Sequence, residues 1–318
     1  MRQATSPIMI SKEQPGFVKT PAIEKIVHRA MLYASAGLPI HLTGPTGTGK
    51  TSIAMQVAAR LGRPVVIVHG DEEFGTSDFV GGYQGYSQKS VKDNFIHSVK
   101  KNQNELRKIW VDNRLTVACK QGHTFLYDEF TRSRPEANNI LLSVLEERTL
   151  DMSGQQSNDG FVKVHPEFTA IFTSNPLEYA GVHKSQDALR DRMVTLRLGT
   201  YDRASEVAIV EAKSGIAHKD AERIVDLVRA VRKANPRNHG HIPSIRAGIR
   251  IATITKNYGG KVATSDGDFV QACIDIMDSE QSDADHGSLK DLIVTAVKEH
   301  CGSKGAGSKT KNKSNSQA

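Results

Sequence analysis

The chain has 318 residues, of which 38% are hydrophobic and 24% are charged, and this is the composition of an ordinary globular protein. No stretch is apolar and long enough to form a membrane helix or a signal peptide, so the sequence predicts a cytoplasmic protein with no membrane partner. The net charge is +7, and lysines in the last 17 residues supply +4 of it, which leaves a body too weakly basic to predict a nucleic-acid partner.

The N-terminal part of the chain alternates between helical and strand patterns. Residues 1–20 contain Pro7 and Pro15 and are expected to form an irregular leader. Apolar residues at helical spacing then predict a helix over 22–36. The next predicted elements are a short buried strand over 39–42, a helix over 50–61 and an interior strand over 65–68.

The middle of the chain continues this alternation after an acidic loop over 70–82 and a basic stretch over 88–110 that is expected to be helical. The elements predicted after it are a strand over 124–127, a helix over 135–147, a β-hairpin over 149–152 and 161–164, and strands over 169–172 and 193–198. Strands that alternate with helices form parallel sheets. The fold class predicted for 21–199 is therefore α/β, a parallel five-stranded sheet flanked by helices.

The pattern after Gly199 changes to helices alone. They are predicted over 204–214, 220–234, 244–256, 269–277 and 289–299, and they indicate a smaller all-helical domain over 200–300. Residues 301–318 are rich in lysine, serine and glycine and have too few apolar residues to form a core. We expect this tail to be disordered.

A glycine-rich loop lies between the second predicted helix and the strand before it. Its sequence fits the pattern G-x-x-x-x-G-K-[ST], in which backbone N–H groups and the start of the next helix bind the phosphates of a nucleotide. The lysine reaches the β- and γ-phosphates, and the last hydroxyl ligates Mg²⁺. The predicted cofactors are ATP and Mg²⁺, bound by Gly44, Pro45, Thr46, Gly47, Thr48, Gly49, Lys50 and Thr51.

Two acidic residues, Asp128 and Glu129, follow the predicted strand over 124–127. Asp128 is expected to hold Mg²⁺ together with Thr51, and Glu129 to orient and polarise the attacking water. The alternative is that the two acids only cap the next helix. The glycine-rich loop over 44–51 favours the first interpretation, and the two motifs together predict ATP hydrolysis.

Four further polar residues lie where a phosphate sensor would be useful. Asn175 follows the strand that begins at residue 169 and could hold the water or the γ-phosphate, although an Asn-Pro pair is also a turn signal. Arg190 and Arg192 precede the last strand, and either could neutralise phosphate charge in its own chain or in a neighbouring subunit. Arg246 begins a helix of the second domain and could couple that domain to the nucleotide. For these arginines an ordinary surface role is the alternative.

The order of these motifs resembles that of AAA+ ATPases over residues 20–300. Within that superfamily, the predicted hairpin over 149–164 lies where the MoxR branch has an additional β-hairpin. Residues 127–147 and 109–122 are more specific, and they are similar to the gas vesicle protein N family. Members of that family are proposed to help gas-filled protein shells assemble or enlarge.

The resemblance implies a role for each residue of the nucleotide site. Thr51 and Asp128 would be the magnesium positions, Glu129 the catalytic carboxylate and Asn175 the first sensor. Residues 44–51 would be the nucleotide loop.

The resemblance also implies that the arginines act between subunits and between domains. Arg192 matches the trans-acting arginine better than Arg190 does, and Arg246 matches the second sensor. Because an arginine supplied in trans needs a neighbouring subunit, the implied partner is the chain itself in a ring, commonly a hexamer.

The client implied by the resemblance is a shell or accessory protein of the gas vesicle, with which the chain would associate. Two alternatives stay open: a MoxR-type activator of another client, such as a metalloenzyme or rubisco, and a nucleotide-gated scaffold that turns over slowly. DNA translocation is disfavoured, because the lysines of the tail have no aromatic neighbours for base stacking.

Residues 79–88 have no predicted part in the ATP site. Tyr83 and Tyr86 lie there on a glycine-rich stretch that is expected to be mobile, where aromatic rings could push on a client. The alternative, which is equally favoured, is that they pack on a neighbouring helix.

Overall fold

A computed structural model describes residues 8–9, 16–93, 101–152, 160–175, 187–234, 242–278 and 286–302 of the chain. The backbone forms two compact units that divide between Thr200 and Tyr201. The first unit contains a sheet with helices, and the described part of the second unit is helical.

The first unit contains strands and helices in alternation. Its strands are β1 (Ile8–Met9), β2 (Ile40–Thr43), β3 (Val65–His69), β4 (Gly81–Asp93), β5 (Lys101–Asp112), β6 (Thr124–Asp128), β7 (Thr149–Asp151), β8 (Phe161–Lys163), β9 (Thr169–Ser174) and β10 (Val194–Arg197). Its helices are α1 (Pro21–Ser35), α2 (Lys50–Leu61), α3 (Thr76–Val80), α4 (Arg114–Gln121), α5 (Pro135–Asn138), α6 (Ile140–Glu146) and α7 (Asp187–Arg190), with a 3₁₀ turn over Phe130–Arg132.

The central sheet has the strand order β1-β3-β6-β9-β2-β10. Every neighbouring pair from β3 to β10 is parallel, which confirms the predicted α/β fold with a parallel five-stranded sheet. Strand β1 adds an antiparallel edge, with Ile8 opposite Val66 and Met9 opposite Val65. The expectation that residues 1–20 are wholly irregular is therefore wrong at Ile8 and Met9, because the outer side of β3 offers backbone groups for pairing.

Aromatic side chains pack around the middle strand β6, all of whose residues are buried. The rings of Phe79 and Tyr127 are 5.3 Å apart between centroids, and those of Phe130 and Phe172 are 5.5 Å apart. Burial of rings of this size is a main source of stability in a core. The packing therefore fixes the end of β6, where Asp128 is the last residue.

The stretch over 88–110 was expected to be helical, and this prediction is wrong. In the described residues it belongs to β4 and β5, which pair antiparallel with each other. The reason lies in the two ends of the stretch. The Val80 carbonyl, at the end of α3, accepts two hydrogen bonds from the region of α4. The Asn113 N–H, just before α4, donates at 3.0 Å, and the Thr116 hydroxyl, within α4, donates at 2.6 Å. Because this contact holds the two ends side by side, cross-strand pairing replaces the local helical preference.

Tyr83 lies in β4 and not on a mobile loop. Its ring stands perpendicular to that of Trp110, with 5.1 Å between centroids. The Trp110 indole N–H donates to Asp112 Oδ1 at 2.9 Å, and Lys120 of α4 pairs with the other oxygen at 2.6 Å. Tyr83 thus belongs to the base of the hairpin. Its ring packs against a neighbouring element, as the alternative prediction had it, but that element is strand β5 and not a helix. The side chain of Tyr86 lies outside the described residues.

The remaining predicted helices and strands of the first unit are found with small changes, whereas the predicted loop over 70–82 contains α3 and the start of β4. The helix predicted over 135–147 is divided into α5 and α6, with Pro135 at the first position of α5. Strands β7 and β8 pair antiparallel, with Leu150 opposite Val162, as predicted for the hairpin. The predicted strands of the central sheet agree with the observed ones to within two residues at each end.

The second unit contains the predicted helices. They are α8 (Arg203–Ser214), α9 (His218–Ala234), α10 (Ile245–Asn257), α11 (Gly267–Met277) and α12 (His286–Cys301). Helix α12 includes Cys301, which was expected to begin the tail, and residues 303–318 of that tail lie outside the described part of the chain. None of the helices in the described residues is long and apolar enough to cross a membrane.

A buried ion-pair cluster joins the first helices of the second unit. Glu206 of α8 is 3% exposed and pairs with Arg229 and Arg232 of α9, at 3.1 and 2.7 Å. Arg232 Nε also donates to the Pro243 carbonyl at 2.8 Å, just before α10. A buried carboxylate needs such partners to offset the loss of water. The cluster therefore holds in place the segment that leads into α10 and Arg246.

Candidate active site

The glycine-rich loop over 44–49 joins the end of β2 to the start of α2. Gly49 caps α2 with φ 75°, a left-handed conformation that glycine adopts without strain. Gly49 has no side chain with which to cap the helix, and the backbone N–H groups in the first turn of any helix have no acceptor within the helix itself. The local structure is therefore suited to bind an anion such as a phosphate group.

The Lys50 ammonium lies over this loop. Its Nζ donates to the Gly44 carbonyl at 2.8 Å and to the Pro45 carbonyl at 2.9 Å. Thr48 Oγ1 donates to the same Pro45 oxygen at 2.9 Å. The positive charge is thus placed at the mouth of the loop, where phosphate oxygens could replace the two carbonyl oxygens as acceptors.

Asp128 lies at the carboxyl end of β6 and is 9% exposed. Its Oδ1 atom accepts hydrogen bonds from two hydroxyl groups, that of Thr51 at 2.8 Å and that of Thr173 at 2.5 Å. His69 Nδ1 is 3.5 Å from the other oxygen, Oδ2. The structure thus brings together Thr51 and Asp128, which the sequence placed 77 positions apart.

Glu129 has an unusual backbone conformation for a residue with a side chain. Its φ is 53°, in the left-handed region. Its N–H donates to Thr173 Oγ1 at 2.9 Å, and its carboxylate accepts from Arg132 Nη1 at 2.9 Å. A Cβ atom at Gly70 would lie 2.1 Å from the Glu129 carbonyl oxygen, so only glycine fits there. Several neighbours therefore determine where this carboxylate points.

Asn175 follows β9 and is 4% exposed. Its side-chain Nδ2 donates to Thr46 Oγ1 of the glycine-rich loop at 2.6 Å. This hydrogen bond connects Asn175 to the loop that was predicted to bind phosphate.

The two arginines before β10 have different surroundings. Arg192 donates from Nε to Glu146 Oε2 at 2.6 Å and from Nη1 to the Ala188 carbonyl at 2.6 Å, and its Nη2 also pairs with Glu146. Arg190 ends α7, and its charge acts on the buried ring of His41. Arg246 is exposed at the second position of α10, in the second unit.

Sequence reasoning missed three residues whose side chains contact the acidic pair, namely Thr173, Arg132 and His69. Thr173 lies on β9, two positions before Asn175, which directly follows that strand. That spacing of two was the available signal. Arg132 is three positions after Glu129, and no local pattern distinguishes it from Arg134.

His41 lies in β2, between β9 and β10 in the sheet, and is 3% exposed. Its ring nitrogens are within hydrogen-bond distance of the Ser174 hydroxyl at 2.8 Å and the Thr195 hydroxyl at 3.1 Å. Burial first, and then the positive charge of Arg190, lower the pKa of His41 from 6.5 to about 4. The ring is therefore neutral at pH 7 in the folded chain.

This depressed pKa predicts a loss of stability in acid. Between about pH 6.5 and pH 4 the unfolded chain binds the proton and the folded chain does not, so the free energy of unfolding falls as the pH falls through that window. We expect His41 to contribute about 2 kcal/mol less at pH 5 than at pH 7. Urea unfolding of the parent and of His41→Asn at both pH values measures this contribution as a difference between variants. Equal pH dependence in the two proteins would contradict it.

Comparison with known proteins places these motifs in a family. Residues 39–193 match the model of the AAA domain of the dynein-related subfamily. The gas vesicle ATPase GvpN of Ancylobacter aquaticus is 47% identical over 277 residues, which cover 87% of this chain and 77% of that protein. The chain belongs to the GvpN family. The GvpN protein of Haloferax mediterranei is 41% identical over 91% of this chain and 82% of that protein.

Membership of the GvpN family agrees with the resemblance found in the sequence motifs. A more distant relative is the denitrification regulatory protein NirQ of Pseudomonas aeruginosa, which is 26% identical over 71% of this chain and 81% of that protein. As a member of an ATPase family, this GvpN-family chain is a nucleotide-binding protein. The matched AAA domain contains every predicted site residue except Arg246: residues 44–51, Asp128, Glu129, Asn175, Arg190 and Arg192.

Proposed function

We propose that the chain hydrolyses Mg·ATP at the carboxyl edge of its parallel sheet, and that it uses this reaction in the assembly or enlargement of gas vesicles. The observation that carries the proposal is the hydrogen-bonded series Thr51–Asp128–Thr173–Glu129 beside the Lys50 loop. In such an arrangement a phosphate-binding loop, a cation site and a carboxylate that can activate water lie next to one another. Release of phosphate by the purified chain in Mg²⁺, and its absence in EDTA, is the basic test.

The donor set fits a magnesium ion. Mg²⁺ prefers hard oxygen ligands and takes only one or two of them from the protein in nucleotide sites. Thr51 Oγ1 and Asp128 Oδ1 lie 2.8 Å apart, next to the phosphate-binding loop. We assign the ion to these two residues, where it would neutralise charge on the phosphate groups.

The other residues of the site would act on the phosphates and on water. Lys50 would exchange its two carbonyl acceptors for β- and γ-phosphate oxygens. The Glu129 carboxylate would orient the attacking water and accept its proton. For this, Arg132 must either release the carboxylate or leave one of its oxygens available to the water. Asn175, already bonded to Thr46, would hold the γ-phosphate or the water at the loop.

Arg192 is the proposed arginine that acts in trans. In the described structure it is bound to Glu146 of its own chain, so it must leave this partner when it reaches a neighbour's nucleotide. An arginine supplied from a neighbouring chain needs an assembly of subunits, and the proposed assembly is a ring, commonly of six subunits. Arg246 would act as the second sensor, from the second unit.

Mixed rings test this assignment. Arg192→Ala is expected to bind ATP normally and to hydrolyse it at least about tenfold more slowly, because the transition-state charge is not neutralised. In an equal mixture with Glu129→Gln, about a quarter of the interfaces pair an intact Glu129 with a donated Arg192, and turnover should recover to a similar fraction of the parent rate.

Arg190→Ala is the matched control for this experiment. It should not show the same complementation with Glu129→Gln subunits. Recovery with Arg190→Ala and none with Arg192→Ala would move the role to Arg190. If neither mixture hydrolyses ATP faster than the sum of its two separate mutants, the proposal that an arginine acts between subunits of a ring would be contradicted.

The client is proposed from the gas vesicle relatives, and the chain would act on shell or accessory proteins in the cytoplasm, at the vesicle. The similarity to a denitrification regulatory protein favours a second candidate, in which the same ATPase activates another client protein. Neighbouring genes separate the two, because shell protein genes would favour the vesicle and the gene of a client enzyme would favour the activator. A slow nucleotide-gated scaffold is distinguished by its rate of ATP turnover.

A further inference from the structure

Thr173 is a fully buried residue of β9, next to β6 in the sheet. Its hydroxyl group donates to Asp128 Oδ1 at 2.5 Å and accepts from the Glu129 N–H at 2.9 Å. One side chain thus contacts both members of the acidic pair. The register of the two strands makes this possible, because Tyr127 lies opposite Phe172 and the residues that follow each of them face each other.

The contact with Asp128 determines the direction of its carboxylate. Oδ1 is shared by the hydroxyl groups of Thr173 and Thr51. Thr51 is the residue that must turn toward a cation, whereas Thr173 lies inside the sheet and has no such task. The Thr173 bond can therefore keep Oδ1 in place while the partners of Thr51 change.

The contact with Glu129 acts on the backbone. A residue with a side chain seldom adopts a left-handed conformation such as that of Glu129, and it does so only where its surroundings determine it. The N–H bond to Thr173 holds one side of this residue, and the Arg132 N–H, which donates to the Glu129 carbonyl at 2.9 Å, holds the other. The direction of the Glu129 side chain follows from this backbone.

We propose that Thr173 is a positioning residue for ATP hydrolysis, which sets the geometry of the cation-binding Asp128 and of the water-activating Glu129 through one hydroxyl group. The inference rests on the proposed function. Thr173 does not contact the nucleotide in this account, so its loss acts through the two carboxylates and leaves the phosphate-binding loop intact.

Thr173→Val tests the proposal, because valine has nearly the same shape and lacks the hydroxyl group. We expect kcat to fall about 10- to 100-fold, the range found when partners of metal ligands are removed. Thr173→Ser keeps the hydroxyl group and should restore kcat to within about threefold of the parent.

Thr124→Val is the matched control. Thr124 is fully buried on β6, like Thr173 on β9, and within the described part of the chain its hydroxyl makes no hydrogen bond. This variant removes a buried hydroxyl group from the same sheet without touching the acidic pair. Its kcat and its melting temperature should remain at or above those of the parent.

Nucleotide binding supplies a measurement that does not depend on turnover. The dissociation constant of ATP is measured by calorimetry in Mg²⁺ and in EDTA, with the Glu129→Gln background preventing hydrolysis. Thr173→Val should weaken binding about tenfold in Mg²⁺, because Asp128 is misplaced, and leave binding in EDTA unchanged. If Thr173→Val does not fold, Thr173→Ala replaces it in the same comparison.

The outcomes separate this inference from the proposed function. If the parent hydrolyses ATP and Glu129→Gln does not, but Thr173→Val has parental kcat and magnesium dependence, the inference is overturned and the proposed function stands. Loss of EDTA binding and of thermal stability together, with no rescue by serine, would also overturn it, since that is the behaviour of a residue needed only for packing. If the parent itself does not hydrolyse ATP, the proposed function fails first.

Discussion

Replacing Lys50 with alanine is expected to raise the dissociation constant of ATP by about 10²-fold or more. The ammonium group is the compact positive charge at the mouth of the loop, where it now bonds to the Gly44 and Pro45 carbonyl oxygens. Alanine would leave the β- and γ-phosphates without this charge. Calorimetric titration with ATP in Mg²⁺ measures the change.

Lys25→Ala is the control for the Lys50 variant. Lys25 is exposed on α1, and its removal changes the net charge of the chain by the same amount. This variant should bind ATP like the parent. A Lys50→Ala protein with a dissociation constant within about twofold of the parent would show that residues 44–51 are not the nucleotide loop.

The second large effect is expected for Glu129→Gln, which should keep ATP bound and lower kcat by about 10³-fold. The amide has nearly the same size as the carboxylate and can still contact Arg132, but it cannot accept a proton from water. Binding and hydrolysis should therefore separate in this variant. Phosphate release and the dissociation constant of ATP are measured on the same preparation.

Glu136→Gln provides the comparison for this substitution. Glu136 is an exposed acid in α5, seven residues further along the chain. It should leave both kcat and ATP affinity near the parental values. Ordinary turnover by the Glu129→Gln protein would assign the role of the base to another carboxylate, and Glu136 would then be a candidate itself.

The nucleotide loop and the parallel sheet could be predicted because their signals are local. The strand and helix on either side of residues 44–51 follow from apolar runs and glycine positions, and α2 begins and ends where predicted, at Lys50 and Leu61. Asp128 was recognisable because an apolar strand precedes it. The five parallel strands followed from their alternation with helices.

The features that could not be predicted depend on contacts between distant residues. The hydrogen bond from Thr173 to Asp128 exists because β6 and β9 are neighbours in the sheet, and their order is not written in either strand. The β4–β5 hairpin forms because α4 holds its base against Val80, which outweighs the helical spacing of the segment. The pairing of Arg192 with Glu146 likewise needed the positions of α6 and α7.

The central claim is that ATP hydrolysis at Asp128 and Glu129 supports gas vesicle formation, and it is tested most directly by the gas vesicle content of cells. The parent gene or its Glu129→Gln form is returned to cells of the source organism that lack it, with equal amounts of the two proteins verified by immunoblotting. Electron microscopy then measures the number and size of vesicles per cell. We predict normal vesicles with the parent and few or only small ones with Glu129→Gln. Vesicles of normal number and size with Glu129→Gln would contradict the account.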